Sequence, residues 1–172
     1  YTWEPSVDTF YHIAVVRYGT TLKVYIDGVA VISDSVSTTS LIASEDPFRI
    51  GAFNDATTAS PTLEWEFAGH VDEVRVTKGQ ARYIANFVPT TSAFEATDAT
   101  AQTQDPYFSN VKFLSSFDGN DGDTTTSGLD ESSSDLDLTY NSGDELSTTQ
   151  KKFGTTSLYV ADNVIISSSD GF

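Results

Sequence analysis

Residues 11–32, YHIAVVRYGTTLKVYIDGVAVI, decide the fold. The run HIAVVR is apolar and β-branched, and Tyr18, Gly19 and Thr20 supply a tight turn. Leu22, Val24 and Ile26 then alternate with Thr21, Lys23 and Tyr25 at period two, so one face of this sheet is expected in a core. Asp27-Gly28 stands between two apolar strands. A two-residue type I′ turn needs φ > 0 at both central positions, which Asp tolerates and Gly adopts freely. Three adjacent antiparallel strands are therefore predicted.

Working outward, residues 33–44 form a Ser/Thr-rich loop, and PFRIG at 47–51 reads as a short strand closed by Gly. Residues 63–67 and 71–77 read as strands around Ala68-Gly69-His70, with Val74 and Val76 on one face. Residues 86–89, NFVP, run extended because Pro disfavours the helical region in the residue before it. Residues 94–106, FEATDATAQTQDP, hold little that can be buried and read as a linker. Beyond it strands are predicted at 111–117, 136–140, 153–160 and 164–167, with a Gly/Asp/Ser/Thr loop at 120–134. No segment has helical periodicity. Short strands separated by turn-rich loops predict an all-β sandwich or barrel.

Composition narrows the partners. The chain has 172 residues, 38% of them hydrophobic, which suffices for one well-buried domain or two small ones. Its 25 acidic and 9 basic residues give a net charge of −16. That charge repels phosphate backbones and anionic lipid heads, so neither nucleic acid nor membrane insertion is expected. Divalent cations, neutral sugars and other proteins remain compatible. With no cysteine there is no disulfide, no thiolate metal site and no Cys nucleophile. No apolar run approaches the roughly 20 residues of a spanning helix. The missing initiator Met predicts that these residues belong to a longer polypeptide.

Two blocks of sequence carry a family resemblance. YHIAVVRYGTTLKVYIDGV, followed by PFRIG and AGHVDEVRVTKGQARYIANFVPTTSAF, resembles the closing half of a laminin G-like, concanavalin A-like lectin/glucanase module. DPYFSNVKFLSSFDGNDG, followed by KKFGTTSLYVADNVIISSSDGF, resembles the opening half of one. The resemblance implies an antiparallel jelly-roll β-sandwich with its halves in permuted order: 1–93 as the closing half, 94–106 as linker and 107–172 as the opening half. The opening half is expected to pack with 1–93 or with a neighbouring copy. Such modules, in tandem form, are common in phage and marine viral structural proteins. The implied role is a non-enzymatic structural or adhesive module of a virion or surface fibre, at the virion or extracellular surface. The expected partners are other copies or other particle proteins. A carbohydrate-binding, calcium-dependent lectin is the alternative, and a glycoside hydrolase a further one.

The chemistry-bearing residues are few. The loop FDGNDGDTTTSGLDESSSD gathers carboxylates and amides of the type that hard cations such as calcium use, without the spacing of an EF-hand. The resemblance points to a structural calcium held by Asp72, Asp118 and Asp130; the plain alternative is turn-forming Asp-Gly pairs and a surface carboxylate. His12 and His70 lie in or beside strands and would need carboxylate partners to bind a transition metal. Glu64-Trp65-Glu66 is the nearest approach to a glycosidase carboxylate pair, with two Glu on one face at period two. It lacks a third carboxylate, and a solvent face around a core Trp explains it equally. Trp3, Tyr18, Phe53, Trp65 and Tyr107 are candidate sugar platforms, whereas Tyr11, Tyr25, Phe67, Phe113, Phe117, Phe153 and Tyr159 are expected to fill the core.

Overall fold

The computed structural model describes residues 1–37, 48–54, 63–64, 67–94, 105–124, 129–161 and 164–167. Every regular element among them is a β-strand apart from one 3-10 turn, Phe108–Asn110, and all strand pairings are antiparallel. The all-β reading holds. Two compact units are present, residues 1–42 with 79–91, and residues 43–78 with 92–172.

In the first unit β1 (Ile13–Tyr18), β2 (Thr21–Ile26) and β3 (Val29–Ser35) form a meander. Both turns follow their sequence. Gly19 takes φ +58 between the paired Tyr18 and Thr21, while Asp27 and Gly28 take φ +47 and +79, the signs a type I′ turn requires. Asp27 Oδ1 accepts the His12 N–H at 2.9 Å and the Asp27 N–H bonds His12 O at 2.8 Å, extending the ladder past β1. A bulge follows Val24, whose partner is Ile32, while Tyr25 pairs with Ala30.

Of the two faces of β2, the one that carries Tyr25, expected in the core, is the more buried. Tyr25 is fully buried, and its ring lies 5.4 Å from Phe87, which stacks on Tyr83 at 3.6 Å. Residues 79–91 thus cover the side of Tyr25, and Lys23 Nζ bonds Ile84 O there at 2.9 Å. Leu22, Val24 and Ile26, on the opposite face, are only partly buried, and their cross-strand neighbours Ile13, Val15, Val29 and Ile32 are exposed. Aromatic area outweighs aliphatic alternation in choosing the covered side, because a ring buries more surface than a Val or Leu side chain.

The second unit mixes strands from distant parts of the chain. β4 (Phe48–Ile50) pairs with β13 (Val164–Ser167), which pairs with β10 (Asp137–Tyr140). β7 (Gly69–Val71) pairs with β12 (Ser157–Val160), which pairs with β11 (Glu145–Ser147). β8 (Val74–Thr77) pairs with β9 (Val111–Ser115), and β5 (Phe53–Asn54) with β6 (Leu63–Glu64). Ile50, Phe113, Phe117, Leu138, Leu146, Leu158, Val160 and Val164 form one buried cluster supplied by all three larger sheets of the unit. A smaller cluster joins Phe108, Val111 and Leu114 with Phe94 packed against it.

Two expectations change here. Phe94, read as the start of a linker, packs on that second cluster, and Arg75 lies 4.1 Å from its ring centre; residues 95–104 lie outside the described residues. Residues 151–156 form a loop rather than the start of β12, because their N–H groups bond to carboxylates instead of a neighbouring strand.

Candidate functional site

The site grows from two interruptions in the sheets. Between β7 and β8 the chain breaks at Asp72-Glu73, with Glu73 at φ +56; after β9 it breaks at Phe117-Asp118, with Phe117 at φ +53. Left-handed backbone at a bulky residue costs on the order of 1–3 kcal/mol and persists where the surroundings over-determine it. At Phe117 the surroundings are the core, in which its ring is fully buried.

Asp72 Oδ2 accepts the N–H groups of Lys152 at 2.6 Å and Phe153 at 3.0 Å. Asp118 Oδ1 accepts the N–H and the hydroxyl of Thr155 and, at 3.4 Å, the N–H of Thr156. Both carboxylates thus grip the loop before β12 from opposite ends. Gly154, at φ +60 between them, has no room for a side chain, since a Cβ would run into the Asp118 carboxylate.

Negative charge accumulates on one side of this loop. Asp72 is raised above the usual carboxylate range, first by burial and then by Asp118, against the opposing N–H groups of Phe153 and Lys152. Glu73 is pushed up to about 7, chiefly by burial and further by Asp72, Glu131 and Asp118, although Glu73 Oε2 accepts the Phe94 N–H at 2.6 Å. Asp72 Oδ1 and Glu73 Oε1 are buried with no hydrogen-bond partner among the described residues.

Asp130 has a different occupation. Its Oδ1 accepts N–H groups from Leu114 at 3.1 Å and Ser132 at 2.9 Å, and its Oδ2 the Ser132 hydroxyl at 3.0 Å and the Leu136 N–H at 2.8 Å. Four donors fill the lone pairs of a buried carboxylate and leave it no direction for a metal. The neighbouring Glu131, rather than Asp130, joins Asp72 and Asp118 in raising Glu73. Among the described residues no group of three or more His, Asp or Glu side chains is arranged to hold a metal ion. The structure brings Asp72, Glu73, Asp118 and Glu131 within electrostatic reach of one another. Glu131 belongs to the acidic loop read from the sequence, whereas Glu73 escapes that reading because nothing in its spacing announces a left-handed turn.

Other carboxylates repeat the pattern. Asp121 Oδ1 takes the N–H and hydroxyl of Thr148 at 2.7 and 2.8 Å, which lowers its pKa. Asp144, buried, takes the N–H of Asn141 at 2.9 Å and of Ala161 at 2.8 Å. His70 Nδ1 meets the Ser157 hydroxyl at 2.9 Å beside Tyr159, and burial lowers its pKa. The His12 ring lies edge-on to the stacked pair of Tyr83 and Phe87, 6.1 and 5.3 Å from their ring centres. Of the aromatic platforms, Trp3 meets Tyr11 edge-on at 5.1 Å, while Tyr18 and Tyr107 are exposed in separate units. Glu64-Trp65-Glu66 and the Phe53 ring lie outside the described side chains. A cleft of about 360 Å³ beside β10 is lined by Thr124, Tyr140, Asn141 and Asp144 among others.

No curated protein and no solved structure matches the chain. A family model does, that of the concanavalin A-like lectin/glucanases superfamily, over residues 2–81, from the N-terminal segment through β8. Residues 2–81, just under half of the chain, are thus similar to that superfamily, and the antiparallel sheets agree with its β-sandwich fold.

Proposed function

We propose that the chain is a non-enzymatic structural or adhesive β-sandwich module of a virion or surface fibre, with its two halves in permuted order. One observation carries this reading: Asp72, Asp118, Asp121, Asp130 and Asp144 hold loops to strands through backbone N–H groups. A carboxylate committed to several N–H donors is a poor proton carrier and a poor nucleophile. The acidity thus serves architecture, and at −16 it keeps copies apart except where a specific surface joins them. The pairing of β4, β7 and β8 with β13, β12 and β9 supports the permuted order. The expected partners are further copies or other particle proteins, at the virion or extracellular surface.

The test has two arms. Immunogold labelling with serum against the chain is expected to decorate intact particles or fibres, and a glycan array with a reducing-sugar assay is expected to stay at background. Glycan binding gives the role to a lectin, and sugar release to a hydrolase.

A second reading, a calcium-stabilised form of the same module, is favoured by the two unpartnered oxygens, Asp72 Oδ1 and Glu73 Oε1, beside Asp118. Calcium would take oxygen ligands from Asp72 and Asp118 and offset the crowded charge. Chelation then lowers Tm. An unchanged melting curve with EDTA and with added calcium removes this reading.

A further inference from the structure

We infer that the second unit is built to open stepwise, from the outside inward, when the chain is pulled, with Asp72 as a stop partway. The strand order carries this. β4 pairs with β13, β7 with β12 and β8 with β9, so each pair lies inside the one before it along the sequence. All three pairs are antiparallel, which sets the N-terminal end of each early strand beside the C-terminal end of its late partner: Phe48 opposite Ile166, Gly69 opposite Val160 and Val74 opposite Ser115. The other partner of β13, β10, is also antiparallel and places Asp137 opposite Ser167, so β13 parts from both neighbours starting at the same end.

Tension drawn through residues 47 and 168 therefore reaches the first pair at one end only. Inter-strand bonds of an antiparallel pair run across the strands, so the load falls on the outermost bonds and then on the next, instead of on the whole ladder at once. Each bond contributes only about 1 kcal/mol net, and bonds loaded in turn do not reinforce one another. When β4 and β13 part, the load passes to Gly69 and Val160, the open end of the second pair.

The stop lies just behind that pair. The residue after Val71 is Asp72, whose Oδ2 accepts the N–H groups of Lys152 at 2.6 Å and Phe153 at 3.0 Å. Two bonds on one oxygen are loaded together, and a charged acceptor makes each about twice as strong as a neutral one. Within the pair, His70 Nδ1 and the Ser157 hydroxyl at 2.9 Å add a side-chain tie. At the innermost end Lys78 and Asn110 bond each other twice, the Lys78 N–H to Asn110 O at 2.8 Å and Asn110 Nδ2 to Lys78 O at 3.0 Å. Resistance thus rises toward the centre, so the outer pair yields and closes again while β8 and β9 stay joined. In a fibre such a module is a link that lengthens under load. That use rests on the role proposed above, whereas the order of opening does not, so the two fail separately.

Optical-tweezers pulling of the 172-residue chain in EDTA tests it, with thermal melts confirming that each variant is folded. The chain has no cysteine, so introduced pairs give unique handles. P47C/S168C loads the first pair at its open end. A52C/S168C loads the same pair along its length, because residue 52 follows the far end of β4. The first opening through P47C/S168C is expected at about half the force needed through A52C/S168C, or less, since one ladder is loaded bond by bond and the other all at once. That opening is expected to lengthen the chain by about 100 Å, as residues 48–68 and 161–167 come free. D72A, added to P47C/S168C, lowers the force of the second opening and leaves the first unchanged. Equal forces through the two handle pairs, one all-at-once opening of the unit, or a second opening that a folded D72A protein does not move overturns the proposal. If D72A does not fold, the comparison of the two handle pairs decides alone.

Discussion

Asp130 Oδ1 accepts the Leu114 N–H at 3.1 Å, and both residues are buried. This bond fixes the loop after residue 129 against β9, and the Glu131 N–H reinforces it by bonding Leu114 O at 2.6 Å. The same carboxylate closes its own turn through Ser132 and Leu136. Asp130 therefore acts as a cap for an irregular loop, much as an N-cap serves a helix.

Asp130→Asn tests that role. An amide keeps one acceptor oxygen and turns an NH₂ toward N–H donors, stranding at least one of them in a buried place. A loss of about 3 kcal/mol is expected, from hydrogen bonds to a charged group plus an unsatisfied donor. Urea unfolding measures it, and a loss well under 1 kcal/mol removes the capping role.

Glu73 gives the fold a pH dependence. Its folded-state pKa of about 7 lies above the ordinary 4.5, so the fold favours the protonated side chain. The sign follows: this contribution is fully present below pH 4.5 and is lost as pH rises through about 7. His70, lowered by burial, acts oppositely and removes stability as pH falls below its ordinary 6.5. In EDTA, Glu73→Gln is expected to flatten the decline between these pH values and to be more stable than the parent above pH 7, while parent and variant converge below 4.5. Thermal melts across that range decide it, and parallel curves overturn it.

What was legible in the sequence and what was not divide along physical lines. The Asp27-Gly28 turn could be read because its backbone signs are demanded by residues adjacent in the chain. The choice of buried face on β2 could not, because it depends on Phe87 and Tyr83 arriving from some sixty residues away. The acidic residues were visible as a cluster, but their partners are backbone N–H groups, which every residue except Pro possesses and which no residue type announces. Asp72 and Asp118 could be linked through family likeness. Glu73 owes its role to a left-handed backbone that its residue type does not favour.

Gly28 carries two constraints at once. It sits at φ +79 in the β2–β3 turn, its carbonyl accepts the Phe87 N–H at 3.0 Å, and a Cβ there would run into the Phe87 carbonyl. Gly28→Ala is therefore expected to cost 3 kcal/mol or more, combining left-handed strain of about 1 kcal/mol with displacement of the segment that covers Tyr25. Gly19→Ala, at φ +58 but in open space, is expected to cost only about 1 kcal/mol. Equal losses at the two turns would show that residues 79–91 do not pack as described.

Tyr140 offers a change in the opposite direction. Its hydroxyl is buried without a hydrogen-bond partner among the described residues, and burial together with the Asp123 and Asp144 charges drives its pKa upward. An unmade hydrogen bond leaves the desolvation penalty of the O–H uncompensated, at about 1–3 kcal/mol. Tyr140→Phe keeps the ring, which packs against the main cluster, and removes only that oxygen. The variant is expected to match the parent or gain about 1 kcal/mol in urea unfolding. A loss above 1 kcal/mol would mean that the hydroxyl is satisfied in solution, with a water held in the cleft beside β10 as the partner to seek.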